Sequence, residues 1–475
     1  MNYKMVGFVL GRIFLIEAAL MLFPMGCAAI YGEWASIPAF LIPVVILLVL
    51  GLAASLKSPK DTKIYARDGL AIVALVWVLL SVFGALPFII TGEIPSFVDA
   101  FFEMVSGFTT TGSTILTDVE SLSHGILFWR SFSHWIGGMG VLVFAMAVLP
   151  MTDGRAMHLM RAEVPGPTCG KISSKLSDSA KILYAIYLTM TVIETVMLCA
   201  GGMPLFDALI HSFGTAGTGG FSNKTLSVGA YNNPYFEVVI GVFMLLFGIN
   251  FNLYFLLLMK NVKGFFKNEE LRNYLGIVAA AIALITINIM NLYGGVLHAF
   301  RYAAFQVVSV ITTTGFVTAN FDLWPEFSKT ILLLLMVVGA CAGSTGGGMK
   351  VSRIMILGRT ITKEMRQILH PKSVNVVKLD GKRLTDEETH GVYVYTICYF
   401  VILSVSVLLI SVDNFDFITN FTAVLTTLNN VGPGLAKVGP VENFSAFSCF
   451  SKIILSLDML IGRLEILPIM MLLAP

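Results

Sequence analysis

The sequence predicts an all-α polytopic membrane protein in which four pseudo-symmetric repeats, each a helix, a pore loop and a second helix, surround one central pore. Two further transmembrane helices precede the repeats. The first observation is composition: 56% of the 475 residues are hydrophobic and 13% are charged, whereas about a quarter of a soluble domain is charged. The second is the recurrence of apolar stretches that reach the roughly 20 residues of a membrane helix. The third is a short segment, ending in Thr, Gly or Asn, that recurs four times.

Basic residues gather in four loops between the apolar stretches, and these clusters predict the topology. Because Lys and Arg accumulate in cytoplasmic loops, we expect all four loops and the N-terminus on the cytoplasmic side. The clusters are Lys57, Lys60, Lys63 and Arg67; Arg155, Arg161, Lys171, Lys175 and Lys181; Lys260, Lys263, Lys267 and Arg272; and residues 350–383. Each cluster abuts a span, which favours topology over nucleic-acid binding as its explanation.

The predicted elements follow in chain order. Residues 1–60 form an N-terminal two-helix segment, with helices expected over 6–31 and 37–56. The four pore repeats occupy 61–152, 153–262, 263–370 and 371–475. The second repeat includes an amphipathic cytoplasmic linker, and the third has a broken second helix. Two leading helices and two from each repeat give ten expected spans.

Each repeat contains a segment too short to span, and we interpret it as a re-entrant pore helix with an extended return. These segments cover 96–111, 204–219, 296–314 and 415–431. When the repeats are aligned on Gly112, Gly220, Gly315 and Gly432, the position six residues earlier is always small: Ser106, Gly214, Ser309 and Thr426. An alternative is that duplicated helical hairpins simply keep their turn glycines.

Four such loops suit a cation pore. A ring of backbone carbonyls can replace the hydration shell of an ion, and glycine permits the backbone conformation that this ring requires. The C-terminal ends of the pore helices would favour cations over anions. The predicted K⁺-binding selectivity filter, the only metal site that we expect, comprises Thr110, Thr111, Gly112, Thr218, Gly219, Gly220, Thr313, Thr314, Gly315, Asn430, Val431 and Gly432.

The loop motifs FTTTGST, GTAGTGGFS, ITTTGFVTANF and LNNVGPG resemble, in order, the four filter loops of the Trk/Ktr/HKT superfamily of potassium transporters. The segments GACAGSTGGGMK and IGRLEILP are most similar to the bacterial Trk branch, in its membrane-embedded subunit. The resemblance covers nearly the whole chain and implies potassium uptake across the bacterial inner membrane. Sodium-conducting relatives of the plant branch have serine at the first filter glycine, and this chain keeps Gly112 there, which favours potassium.

The same resemblance implies partners. Members of the superfamily form homodimers, and a cytosolic nucleotide-binding ring subunit regulates the Trk branch by docking on the cytoplasmic face. The sequence itself contains no nucleotide-binding fold, so we expect no cofactor in this chain. The lipid bilayer is the remaining expected partner, and nucleic acid is not one.

The second helix of the third repeat runs into a glycine-rich stretch. This stretch should interrupt the helix, since each glycine destabilises a helix by about 1 kcal/mol. An ordinary kink or close helix packing is one explanation. The family resemblance implies another, an intramembrane loop below the filter that restricts permeation. The predicted gate residues are Gly343, Ser344, Thr345, Gly346, Gly347, Gly348 and Lys350.

Charged residues in the last helix predict a barrier to permeation, because charges at membrane depth usually face a cavity or a partner. Lys452 and Arg463 are eleven residues apart, about three helical turns, and so share a face. The family resemblance favours Arg463 as a pore-facing cation. The alternative is an internal ion pair of Arg463 with Glu465 or Asp458.

No nucleophile or metalloprotease motif is present, so the sequence predicts a transporter and not an enzyme. Channel-like conduction is favoured over a secondary transporter with inverted repeats, because the repeats share one orientation. A symporter coupled to H⁺ or Na⁺, or a less selective K⁺/Na⁺ pore, remains open as an alternative at this stage.

Overall fold

The computed structural model describes residues 2–56, 59, 65–140, 176–372 and 375–466. Within them the chain is mostly helical, as predicted. The N-terminal segment holds α1 (Tyr3–Leu20), α2 (Leu22–Ile30) and α3 (Ile37–Ser55). The predicted cytoplasmic linker and the basic residues from Arg155 to Lys175 lie outside the described residues.

The four repeats follow with a shared order of elements. The first contains α4 (Ala66–Thr91), α5 (Phe97–Phe108) and α6 (His124–Gly138); the second α7 (Leu176–Ala200), α8 (Leu205–Gly217), α9 (Pro234–Phe247) and α10 (Phe251–Leu258). The short α11 (Val262–Lys267) leads to the third, with α12 (Glu269–Ile289), α13 (Val296–Ile311), α14 (Glu326–Val338) and α15 (Val351–Leu369). A hairpin of β1 (Lys378–Leu379) and β2 (Lys382–Arg383) precedes the fourth, with α16 (Asp386–Ile410), α17 (Phe417–Asn429) and α18 (Cys449–Arg463).

Six helices among the described residues are long and apolar enough to cross a membrane. A seventh span results if α9 and α10 count as one helix bent by 92°. The ten expected spans include stretches at 141–175 and 467–475 that lie outside the described residues, so that number stays a prediction. The described second helices of the repeats are short, at 15, 14, 13 and 15 residues for α6, α9, α14 and α18.

The break in the second repeat was not predicted. Between α9 and α10 the sequence reads Gly248, Ile249, Asn250, and the Asn250 side chain accepts the backbone N–H of Asn252 at 2.9 Å. That contact caps α10 and starts a new helix in a new direction. In the third repeat, α14 ends at Val338 and α15 starts at Val351, with the glycine-rich stretch between them.

The N-terminal segment is joined to the first repeat by Glu33. Its carboxylate accepts the backbone N–H groups of His124 and Gly125 at 2.8 and 3.0 Å, at the start of α6. A negative charge is favourable there because helix N–H groups point at it. Although partial burial raises it, these hydrogen bonds and the His124 side chain hold the pKa of Glu33 below its ordinary value.

Candidate functional site

The four predicted loops end their pore helices with the same backbone turn. The residues two positions before the aligned glycines, Thr110, Thr218, Thr313 and Asn430, have φ of 57°, 57°, 58° and 54°. The glycines follow with φ of 84°, 76°, 81° and 95°. Three of the left-handed residues are β-branched, for which this region is strongly disfavoured, at roughly 1–2 kcal/mol per residue. Strain of this kind is held in place by surrounding structure and is typical of functional sites.

The residue six positions before each glycine makes the same backbone hydrogen bond in all four loops. Its carbonyl accepts the N–H of the residue just before the glycine, which closes the last turn of the pore helix. The four bonds are Thr111 to Ser106 at 2.9 Å, Gly219 to Gly214 at 2.8 Å, Thr314 to Ser309 at 2.9 Å and Val431 to Thr426 at 3.0 Å. The sequence repeat is therefore a repeat of backbone geometry.

The four loops meet in a closed ring, in which each glycine lies against a carbonyl of the next loop. A Cβ added to Gly112 would be 2.0 Å from the Gly219 oxygen, and one added to Gly220 would be 2.0 Å from the Thr314 oxygen. For Gly315 the contact is with the Val431 oxygen at 2.1 Å, and for Gly432 it is with the Thr111 oxygen at 2.9 Å. The predicted filter residues are thus brought together, and a side chain has no room at the first three glycines.

The ring closes between the fourth and first loops through side chains as well. Asn430 Nδ2 donates to Thr111 Oγ1 at 2.9 Å, and Ser113 Oγ donates to the Gly432 carbonyl at 3.2 Å. The first and third loops each add an internal threonine pair, with 2.8 Å between Thr109 and Thr111 and between Thr312 and Thr314. The fourth loop therefore contacts the first through the side chain of Asn430.

A cavity of about 100 Å³ opens on the side where the loops leave the ring. All four aligned glycines line it, together with Thr117, Lys224, Glu442 and Asn443. The ring is therefore open to a polar cavity on that side.

Polar side chains of the pore helices form hydrogen bonds with the returning loops, and the sequence analysis did not identify them. Nine residues before the glycine stand Glu103, His211 and Gln306, and each bonds its own loop two or three residues after the glycine. The distances are 2.9 Å from Thr114 Oγ1 to Glu103, 3.0 Å from His211 Nε2 to Ser222 Oγ and 3.2 Å from Gln306 Nε2 to Thr318 Oγ1. In the fourth repeat Thr422 takes this role, accepting the Leu435 N–H at 3.2 Å. Polar residues at one aligned position of otherwise apolar helices were the available signal.

Glu103 also forms a buried ion pair with Arg130 of α6, at 2.6 Å. Arg130 donates to the Ser222 carbonyl at 3.1 Å and its guanidinium lies 3.5 Å from the centre of the Phe221 ring. A buried pair is costly unless its remaining hydrogen-bonding groups are satisfied. Here the contacts of Arg130 with Ser222 and Phe221 serve this purpose, and they connect the first loop to the second.

The predicted gate residues lie together under the ring. The segment 339–350, which we call the intramembrane loop, is irregular and largely buried. The Gly347 N–H donates to Thr313 Oγ1 at 2.7 Å, and a Cβ on Gly347 would lie 2.3 Å from the Asn429 carbonyl oxygen. The loop thus touches the ends of two pore helices, on the face opposite the cavity. Lys350 is buried and donates to the Gly346 carbonyl.

The intramembrane loop also fills the bend between α9 and α10. The Cys341 N–H donates to the Gly248 carbonyl at 3.1 Å, and the Phe251 N–H donates to the Gly343 carbonyl at 2.9 Å. Irregular backbone at membrane depth is tolerated where protein satisfies its polar groups. The two helix breaks therefore satisfy each other, which an ordinary kink would not require.

Arg463 and Lys452 have different surroundings. Arg463 donates to the Thr345 carbonyl of the intramembrane loop at 2.8 Å, and to the Gly137 and Gly138 carbonyls of α6 at 2.5 and 2.7 Å. Of the alternative partners for Arg463, Glu465 pairs with Arg353 and Asp458 accepts a hydrogen bond from Ser406.

Lys452, which the sequence analysis predicts as a second pore barrier, has an anionic partner in the structure. Its ammonium forms an ion pair with Asp99 of α5 at 2.6 Å. Its separation of eleven residues from Arg463 corresponds to about 16 Å along the helix. The two side chains therefore share a face but lie at different heights. Lys452 therefore fixes the N-terminal end of α18, which lies away from the intramembrane loop.

Comparison with known proteins gives a consistent result. Residues 36–475 match the TrkH family model, described as a cation transport protein. The Trk system potassium uptake protein TrkH of Salmonella typhimurium is 37% identical over 100% of this chain and 99% of its own length. TrkG of Escherichia coli K12, also a Trk system potassium uptake protein, is 34% identical over 99% of this chain and 98% of its own. The crystal structure of the potassium transporter TrkH from Vibrio parahaemolyticus superposes with a TM-score of 0.90 at 33% identity, covering 100% of this chain and 99% of that one.

Proposed function

The chain belongs to the TrkH family of cation transport proteins, and from this membership we propose that it takes up potassium across the bacterial inner membrane through a channel-like pore. Its similar relatives are potassium uptake proteins by name. The observation that carries the proposal for this chain is the closed ring of four loops, in which every aligned glycine lies against a carbonyl oxygen of a neighbouring loop.

The proposed filter consists of the backbone carbonyls around the ring. Carbonyl oxygens take the place of water around a desolvated cation, and the left-handed turns at Thr110, Thr218, Thr313 and Asn430 set their positions. The pore helices end at these turns, so their negative ends favour a cation at the ring. K⁺ is the transported ion and occupies no other site in the proposal.

The proposed gate is the intramembrane loop, with Arg463 as an electrostatic barrier beside it. The loop lies directly against Thr313 and Asn429, where it would obstruct an ion leaving the ring. Arg463 bridges the loop to α6, and a cation on the exit path repels permeating K⁺. Opening then requires the loop to leave its contacts with the pore helices.

The orientation and partners complete the proposal. We place the N-terminus in the cytoplasm, on the same side as the basic clusters, because Lys and Arg accumulate in cytoplasmic loops. The start of α1 lies beside that of α4, since the Asn2 N–H donates to Asp68 at 3.1 Å. We further propose that the chain forms a homodimer and that a cytosolic nucleotide-binding ring binds its cytoplasmic face.

The deciding experiment is rubidium and potassium uptake by cells that lack their own potassium uptake systems and express this chain. We expect saturable Rb⁺ uptake that K⁺ suppresses and an equal concentration of Na⁺ does not. Equal Na⁺ and K⁺ fluxes would overturn the selectivity. Uptake by proteoliposomes driven by a membrane potential alone supports conduction, and a requirement for an H⁺ or Na⁺ gradient would indicate a symporter instead.

The gate is tested by deleting residues 346–348. This deletion removes the part of the loop that contacts Thr313 and Asn429, so Rb⁺ uptake per molecule should rise. Unchanged uptake by a deletion variant that reaches the membrane at the parent level would overturn the gate. Gly358→Ala, on the α15 surface where an added Cβ meets nothing within 4 Å, controls for altering a glycine nearby.

A further inference from the structure

Glu270 contacts the intramembrane loop from outside the repeat alignment. It lies in the first turn of α12 and is 5% exposed. One carboxylate oxygen, Oε1, accepts the backbone N–H of Ala342 at 2.8 Å and that of Ser352 at 3.1 Å. A single buried side chain therefore holds two backbone groups ten residues apart.

These two N–H groups flank the central part of the proposed gate. Ala342 lies just before the glycines at 343–348, and Ser352 lies in the first turn of α15. First-turn N–H groups have no partner within their own helix, so a carboxylate satisfies them well. The same oxygen thus anchors both ends of the stretch whose middle, Gly347, contacts Thr313.

The start of α12 is itself fixed to the cytoplasmic hairpin. Asp380, in the turn between β1 and β2, accepts the Asn268 side-chain N–H at 2.8 Å and the Glu269 N–H at 2.7 Å. Glu269 in turn pairs with Arg359 of α15 at 2.7 Å. Glu270 therefore projects from a turn that is held on its other side, which gives its carboxylate a defined position.

We propose that Glu270 is a positioning residue of the gate, a latch that keeps the intramembrane loop against the pore helices. This inference rests on the proposed function of the loop. Losing the latch frees the loop at both ends, so the loop should leave the pore more often. Each hydrogen bond to a charged acceptor corresponds to a factor of roughly ten or more in an equilibrium, so the open population should increase at least about tenfold.

The test measures two quantities on the full chain, Rb⁺ uptake and thiol labelling of the native Cys341, which is buried in the loop. The background has the other five cysteines replaced by serine. Glu270→Ala should increase both the uptake and the labelling rate, the latter about tenfold. Glu270→Gln keeps an acceptor oxygen but not the charge and should lie between. Glu17→Ala is the matched control, since Glu17 is a buried carboxylate of α1 whose oxygens have no hydrogen-bond partner among the described residues, and it should leave both rates unchanged.

A second background separates this inference from the gate itself. In the chain lacking residues 346–348, Glu270→Ala should add no further uptake, because the latch then has nothing to hold. If the deletion raises uptake while Glu270→Ala and Glu270→Gln leave uptake and labelling at parent rates, the latch is overturned and the gate stands. If the deletion has no effect, the gate itself is overturned. Should Glu270→Ala not reach the membrane, Glu270→Gln decides: faster labelling supports the latch, and parent labelling overturns it.

Discussion

The four repeats have the same geometry on one side of the loop ring and different geometries on the other. On the cavity side, four loops repeat one turn, with φ between 54° and 58° at the residue two before each glycine. On the other side, the second helices differ: α9 bends into α10, α14 gives way to the intramembrane loop, and α18 ends at Arg463. The difference teaches that repetition is kept where four loops together close one ring. Divergence occurs where one repeat can act alone.

The largest expected effect comes from breaking the repeated side. Gly315→Ala places a Cβ about 2.1 Å from the Val431 oxygen at a φ of 81°, so the ring must distort. We expect Rb⁺ uptake to fall more than tenfold or to lose its preference over Na⁺. Gly294→Ala is a matched control, because Gly294 has a φ of 66° but open space around its Cβ. Parent-like uptake by Gly315→Ala would refute the filter.

Gly432→Ala tests the same ring at its least crowded glycine, and its effect on Rb⁺ uptake should be smaller. Its Cβ would lie 2.9 Å from the Thr111 oxygen, almost an ångström farther than at the other three positions. We expect residual, K⁺-preferring uptake in the same Rb⁺ assay. A loss as complete as that of Gly315→Ala would show that the ring does not distinguish the fourth loop.

The support behind the ring can be weakened without touching it. Glu103→Gln leaves Arg130 buried without its charge partner, and breaking a buried pair typically costs about 3–5 kcal/mol. We expect a lower thermal midpoint for the purified protein in detergent. Glu120→Gln, which breaks the exposed Glu120–Lys224 pair, should cost less than about 1 kcal/mol. Equal shifts for the two variants would contradict the proposed fastening of the first loop to the second.

The unrepeated side is tested by Arg463→Gln, which should raise Rb⁺ uptake several-fold by removing a cation and its bond to Thr345. Lys452→Gln is the comparison on the same helix. Because Lys452 pairs with Asp99, its loss should lower stability and leave the uptake rate per folded molecule unchanged. The same increase in both variants would place the barrier along the whole helix face.

The smallest effect is expected at the N-terminal segment, far from both sides of the ring. Glu33→Gln removes the charge at the start of α6 and should lower the free energy of unfolding by less than about 1 kcal/mol. Since the pKa of Glu33 is lowered in the folded protein, its contribution is present at neutral pH and is lost as the pH falls through that pKa. The thermal midpoints of the parent and the variant should therefore converge in acid.

Much of the repeated architecture could be read from the sequence, because hydropathy and glycine spacing are local signals. The pore helices were expected over 96–111, 204–219, 296–314 and 415–431, and α5, α8, α13 and α17 lie within those ranges. The positions six before the glycines were recognised as small, and all four share one backbone hydrogen bond. Family membership and the helical fold were likewise confirmed.

The unpredicted features depend on which residues meet in space. Spacing placed Lys452 and Arg463 on one helix face, yet Asp99 lies 353 residues from Lys452 in the chain and no periodicity reports such a pairing. The bend after Phe247 depends on the intramembrane loop that fills it. Glu270 was one of many acidic residues near a basic cluster, and only its distance to Ala342 and Ser352 distinguishes it.

The closure of the ring between Asn430 and Thr111 has a consequence for biosynthesis. The two residues are 319 positions apart, so the last loop of the ring is translated long after the first. Until then the first loop is inserted in the membrane without its neighbour, and its strained Thr110 lacks that support. Because all four loops belong to one polypeptide, the final step depends on the local concentration set by the tether and not on the amount of protein in the cell. A ribosome that stops before the fourth repeat thus leaves a membrane protein whose ring of loops is incomplete.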